Sequence, residues 1–159
     1  MRKRKINPQF LKRITAQDVK DEEIAVVDFA KSLKDFADEF LGGIIELEVE
    51  GFSAGSVSLK LPIASYLIRL ICECGDSDDL IKARITISDE LALKVEYKTT
   101  PPTEDVAHIV KVARLAGFTP KRSESTLVFT ADIKLSSIMQ IYATSADDFR
   151  DMLIITHKM

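Results

Sequence analysis

The chain has no tryptophan and only two cysteines, Cys72 and Cys74, set two apart inside an apolar run. Two thiols are too few for a four-ligand zinc site, and their spacing does not suit a structural disulfide. The sequence therefore reads as a reduced, cytoplasmic protein that folds without crosslinks. Long hydrophobic runs are missing as well. Nothing approaches the ~18 apolar residues of a membrane span, and no h-region of roughly 7–15 apolar residues follows the basic N-terminus. A soluble protein with no membrane partner is expected. Glycine (6) and proline (5) are sparse, which leaves no room for a glycine-rich phosphate cradle or a low-complexity linker.

What is present belongs to a globular domain. Of 159 residues, 46% are hydrophobic and 30% charged, enough apolar material for one core at this length. Charge is unevenly distributed. Arg2, Lys3, Arg4, Lys5, Lys12 and Arg13 precede the first acidic residue, and the remainder carries 16 basic and 25 acidic side chains, a net of −9. Residues 1–20 therefore read as a basic arm, a candidate contact for nucleic acid or another polyanion. Residues 21–159 read as a single α/β sandwich domain. No aromatic side chain interleaves the first four charges, so stacking on single strands has no support.

Periodicity supplies the architecture. From Asp21 to Leu41 the apolar positions Val26, Phe29, Leu33, Phe36 and Phe40 recur at helical spacing, flanked by Ile24, Val27, Ala30, Ala37 and Leu41. Asp21, Glu22 and Glu23 are placed for a first turn and Gly42-Gly43 for a stop. The stripe is wider than one neighbouring sheet requires. Val26, Phe29, Leu33, Phe36 and Phe40 are therefore the candidate interface for a protein partner or a second copy of the chain. Residues 45–49 and 57–61 then alternate apolar with polar, and Gly51 and Gly55 bracket an expected hairpin turn between them. Pro62 opens an almost wholly apolar helix relieved only by Ser65, Arg69 and Glu73. A second hairpin, Ala83 to Tyr97, turns near Asp89. Pro101-Pro102 breaks the strand, Thr103 stands where it can cap the next helix, and Gly117 closes that helix. Residues 127–133 form a last strand, Ser136 to Ala143 read as a helix, and Ala146 to Thr156 as another, opened by Ser145 with Asp148 in a capping box. All five strands alternate, so the sheet has one buried and one wet face. The expected fold is α+β: a two-layer sandwich whose mixed or antiparallel sheet of about five strands carries helices on one face.

The chemistry-bearing residues read blandly. His108 has no partner carboxylate or nucleophile placed by sequence logic, and His157 sits in a last helical turn where a cation suits the dipole. An EF-hand beginning at Asp76, with Asp78 and Asp79, would need glycine where Ile81 stands and glutamate where Ile87 stands. Cys72 and Cys74 lie among apolar and acidic neighbours, which do not activate a thiol. No catalytic, metal-binding or cofactor-binding residue is assigned, and no cofactor is expected.

Two segments carry a family likeness. Residues Leu67 to Gly75 followed by a strand from Ala83 to Ile87, and Ile109 to Phe118 followed by Ser123 to Ile133, occur in the order helix, strand, short strand, helix, long hairpin, helix, strand. That order, over about residues 40–134, resembles the histidine-kinase-like ATPase domain, the Bergerat fold of kinases, gyrase and anti-sigma kinases. The resemblance implies the two-layer sandwich. It also shows departures. Cys74 stands where the family's magnesium-binding asparagine would align, a soft thiol in place of a hard-cation ligand. Tyr97 to Pro102 runs straight into the next helix, where the family carries an aspartate followed by glycines and then a lid. The expected function is a non-catalytic regulatory or protein-interaction domain of this fold, without ATP binding. The alternatives are a nucleotide-dependent kinase or phosphotransferase with an atypical site, which predicts a concave site between the central helix and the helix after Pro102, and a nucleic-acid-binding protein using the basic arm.

Overall fold

The computed structural model describes residues 19–135 and 146–158. The arm residues Arg2, Lys3, Arg4, Lys5, Lys12 and Arg13, the helix expected at Ser136 to Ala143, and Ser145, the cap residue of the expected capping box, lie outside the described residues. In chain order the elements are β1 (Glu22–Ala25), α1 (Val26–Phe40), β2 (Ile45–Gly51), β3 (Ser56–Leu59), α2 (Leu61–Cys74), β4 (Ile81–Ile87), β5 (Glu90–Glu96), α3 (Thr103–Ala116), β6 (Thr119–Ser123), β7 (Thr126–Asp132) and α4 (Ala146–Lys158).

The β4–β5 hairpin forms where the alternation is cleanest. Ile81, Ala83, Ile85 and Ile87 point into the core opposite Leu91, Leu93 and Val95, and Ile85 pairs with Leu93. One face of each strand is thereby removed from water while Lys82, Arg84, Lys94 and Glu96 stay solvated. β7 continues the sheet antiparallel to β5, bringing Phe129 beside Leu93. β2 runs parallel to β4, and β6 forms the other edge, so the order is β2-β4-β5-β7-β6. The fold is an α+β sandwich with a five-stranded mixed sheet and a separate two-stranded sheet.

The first hairpin expected from the sequence does not form. β2 pairs with β4, whereas β3 turns back and pairs antiparallel with β1, Ile24 opposite Val57. Alternation reports which face of a strand is buried and leaves its partner open. The two glycines expected to bracket a turn serve close approach instead. A Cβ on Gly51, at φ +94°, would stand 2.1 Å from the Ile87 carbonyl oxygen, and one on Gly55 would stand 2.4 Å from Ile133 Cγ2. The first helix also starts later than expected. Glu22–Ala25 is extended because β3 offers it backbone partners, Ile24 is fully buried there, and Glu23 accepts a hydrogen bond from the Ser56 hydroxyl at 2.9 Å. Thr103 does not cap α3. It is the first helical residue, Pro102 occupies the cap position, and no side chain caps that end. The fifth strand of the main sheet is β6, whose sequence Thr-Pro-Lys-Arg-Ser carries no apolar alternation.

α1, α2 and α3 cover the buried face of the sheet, and α4 packs on α1 and α2. Phe149 of α4 stacks on Phe29 of α1 with ring centroids 5.0 Å apart. Phe29 also lies against Phe118, which meets Phe129 of β7 edge-on. A chain of rings thus runs from the sheet to α4. At the other end of α3, Gly117 adopts φ +112° and its N–H reaches the last carbonyls of the helix, the left-handed stop that glycine accommodates. Among the described residues, no helix is long and apolar enough to cross a membrane.

Candidate functional site

The concave site expected from the sequence would lie between the end of α2 and the start of α3. These two helices pack directly on one another, and the backbone N–H of Lys60, before α2, donates to the Ala116 carbonyl at the end of α3 over 2.9 Å. Tyr97 follows β5 and is buried, and its hydroxyl donates to the Ile71 carbonyl of α2 at 2.6 Å. Residues 97–102 alone join β5 to α3, with Pro101 buried. Cys74 and Cys72 are both buried and neither forms a disulfide. Asp76 and Asp79 are engaged locally: the Asp76 carboxylate accepts the Asp78 N–H at 3.1 Å, and Asp79 accepts the Thr99 hydroxyl at 2.9 Å. Among the described residues, no cluster of three or more His, Cys, Asp or Glu could hold a metal ion.

A cavity of about 120 Å³ opens elsewhere, where α4 crosses α1 and α2. Its walls follow from the spacing of the polar residues in α2. Ser65, Arg69 and Glu73 recur every fourth residue, so they share one face of the helix. α4 lies along that face. Arg69 Nε donates to Glu73 Oε1 at 2.7 Å, and Arg69 Nη1 donates to the Thr156 carbonyl at 3.1 Å, satisfying an acceptor in the last turn of α4. Both members of this ion pair are largely shielded from water. Glu73 Oε2 and Ser65 Oγ are buried and have no hydrogen-bond partner. The opposite walls are apolar: Phe36 and Leu41, then Ile44, with Leu153 from α4. His157 stands edge-on to Phe36, ring centroids 5.7 Å apart. Further cavities lie on the open face of the sheet around Arg84, beside Asp78 and Lys98, and within the core between Leu33 and Leu93.

Among the described residues, two groups carry displaced proton affinities. Burial pushes the Tyr66 phenol up to about 12, with the Glu73 charge adding to the effect and Arg69 opposing it. His108, half-buried on α3, is held below the ordinary histidine value by burial and then by the Lys111 charge, against an opposite pull from Asp105.

The residues proposed as an interface sit mostly within the chain. Val26, Phe29, Leu33 and Phe36 are no more than 2% exposed, so the surplus apolar width of α1 is taken up by α4 and by Phe118. Phe40 alone stays partly open, stacked on Phe36 at 5.4 Å. Sequence reasoning passed over Ser65, Arg69 and Glu73 as mere relief in an apolar helix. Their regular four-residue spacing was the available signal.

No protein-family model matches the chain, and no curated protein does. Among solved structures, it is similar to the cytoplasmic segment of the histidine kinase QseC at 12% identity, covering 78% of this chain and 87% of that one with a TM-score of 0.46. It is also similar to the nucleotide-free catalytic domain of the histidine kinase ThkA at 13% identity, with 72% and 96% covered and a TM-score of 0.45. The Acinetobacter baumannii histidine kinase AdeS gives 18% identity, 79% and 73% covered, and a TM-score of 0.43. All three scores fall below 0.5, so the functional reading rests on the chain's own topology and packing.

Proposed function

We propose that this chain is a regulatory or protein-interaction domain on a histidine-kinase-like sandwich that does not bind ATP. The observation that supports it is the seam between α2 and α3, packed helix on helix, with the connector after β5 tied to α2 beside it by the buried hydrogen bond from Tyr97 to Ile71. In the resembled family this is where a nucleotide and its magnesium would need room and hard ligands. Here the aligned position holds a buried thiol, Cys74, and Pro101-Pro102 precedes α3 where exposed helix-terminal amides would be needed to cradle phosphates. A scaffold of this kind without its nucleotide chemistry acts through its surfaces, on a protein partner or on a second copy of itself. Light scattering separates those two partners.

The enzyme alternative, an atypical phosphotransferase, needs a concave site between α2 and α3, where the two helices pack directly on one another. Titration calorimetry with magnesium and ATP tests the proposal. No binding heat is expected, and a micromolar Kd would overturn it. A nucleic-acid role for the arm rests on its six early cations. Steeply salt-dependent binding to a duplex that disappears when residues 2–13 are deleted would establish that role.

A further inference from the structure

We propose that the cavity beneath α4 binds a small uncharged ring compound bearing one hydrogen-bond donor, of the phenol class. Size is the first constraint. At about 120 Å³ the space is close to the ~150 Å³ of an apolar protein cavity that accepts one benzene ring. Phe36, Leu41, Ile44, Ile68 and Leu153 supply an apolar surround on several sides, which favours a ring over a polar metabolite.

Charge is the second constraint. Arg69 already balances Glu73 at 2.7 Å, and His157 also stands in the wall, so a ligand of either charge would find the ion pair's charges already matched and would bring one of its own into a largely shielded site. Hydrogen bonding is the third. Glu73 Oε2 is a buried acceptor without a partner, and an ionised carboxylate can only accept, so the complementary group must donate. A phenolic O–H meets all three constraints. Ser65, only 1% exposed and with an equally unpartnered hydroxyl, lies eight residues before Glu73, ~12 Å along the helix axis. One hydroxyl cannot serve both, so Ser65 marks the far end, where a longer ligand would place a second polar group. The site is separate from the α2–α3 seam, and it stands or falls independently of ATP binding.

The test is an NMR titration of the full chain with phenol, using toluene as the donor-less match and benzylamine and benzoate as the charged ones. Ring-proton NOEs to the methyls of Ile68 and Leu153 are expected. Phenol should bind about tenfold or more tightly than toluene, the scale of one hydrogen bond to a charged acceptor. Both charged analogues should bind more weakly than phenol. In Glu73→Gln the preference of phenol over toluene should shrink toward parity while toluene affinity holds. Equal affinities for phenol and toluene in the unaltered chain would overturn the proposal. So would tighter binding of benzylamine or benzoate, NOEs confined to other methyls, or no response at millimolar phenol. The NOE measurement requires no variant, so a folding defect in Glu73→Gln leaves the proposal falsifiable.

Discussion

The two sides of α2 are built differently. Toward the sheet and α3, Leu67, Leu70 and Ile71 are at most 1% exposed, and the buried Tyr97 hydroxyl has its acceptor. Toward α4 the same helix presents an ion pair, two orphaned oxygens and a cavity. The first side is the one at which the proposed function excludes a nucleotide, and the second lies under α4. Buried polar atoms without partners are costly, so Ser65 Oγ and Glu73 Oε2 make the face of α2 beside the cavity an incompletely satisfied one.

The largest effect that sharpens this contrast is expected at the ring stack joining α1 to α4. Phe29→Ala should cost about 3–5 kcal/mol in urea unfolding, with a midpoint independent of protein concentration because the stack is intrachain. A midpoint that rises with concentration would instead assign α1 to a shared interface. A pH effect comes next. Tyr66 keeps its proton in the folded state up to about 12, while the unfolded phenol releases it near 10. Its contribution should therefore be complete below pH 10 and fade as pH climbs from there toward 12, and Tyr66→Phe should flatten that part of the stability profile. Tyr97→Phe, on the first side, should cost about 1 kcal/mol, the net worth of one hydrogen bond. Ser65→Ala, on the second side, should be neutral or stabilising by about 0.5 kcal/mol, since it removes an unpartnered hydroxyl from a helix interior. If Ser65→Ala proved the more damaging of the two, the contrast between the sides would fail.

Much of this was legible from the residues. The β4–β5 hairpin, α2 after Pro62, and α3 with its glycine stop are written in strong local signals. Strand partnership was not legible, because the alternation in residues 45–49 is equally satisfied beside β3 or beside β4, and tertiary packing selects β4. β6 was invisible, since an edge strand exposed on most sides needs no apolar alternation, and its proline is tolerated there. The acids at 21–23 imitate a helix start, and only the presence of β3 across from them makes the segment a strand. The cavity was half legible: the spacing of Ser65, Arg69 and Glu73 showed a polar stripe, whereas its cover, α4, comes from about eighty residues further along the chain.

The most direct measurement is an amide NMR titration of the chain with magnesium and ATP, watching Gly75, Tyr97 and Thr103 around the α2–α3 seam. The packed-seam account predicts that these resonances stay in place while the spectrum as a whole remains that of the folded chain. Saturable shifts confined to those three and their neighbours would contradict it, and would return the domain to nucleotide chemistry.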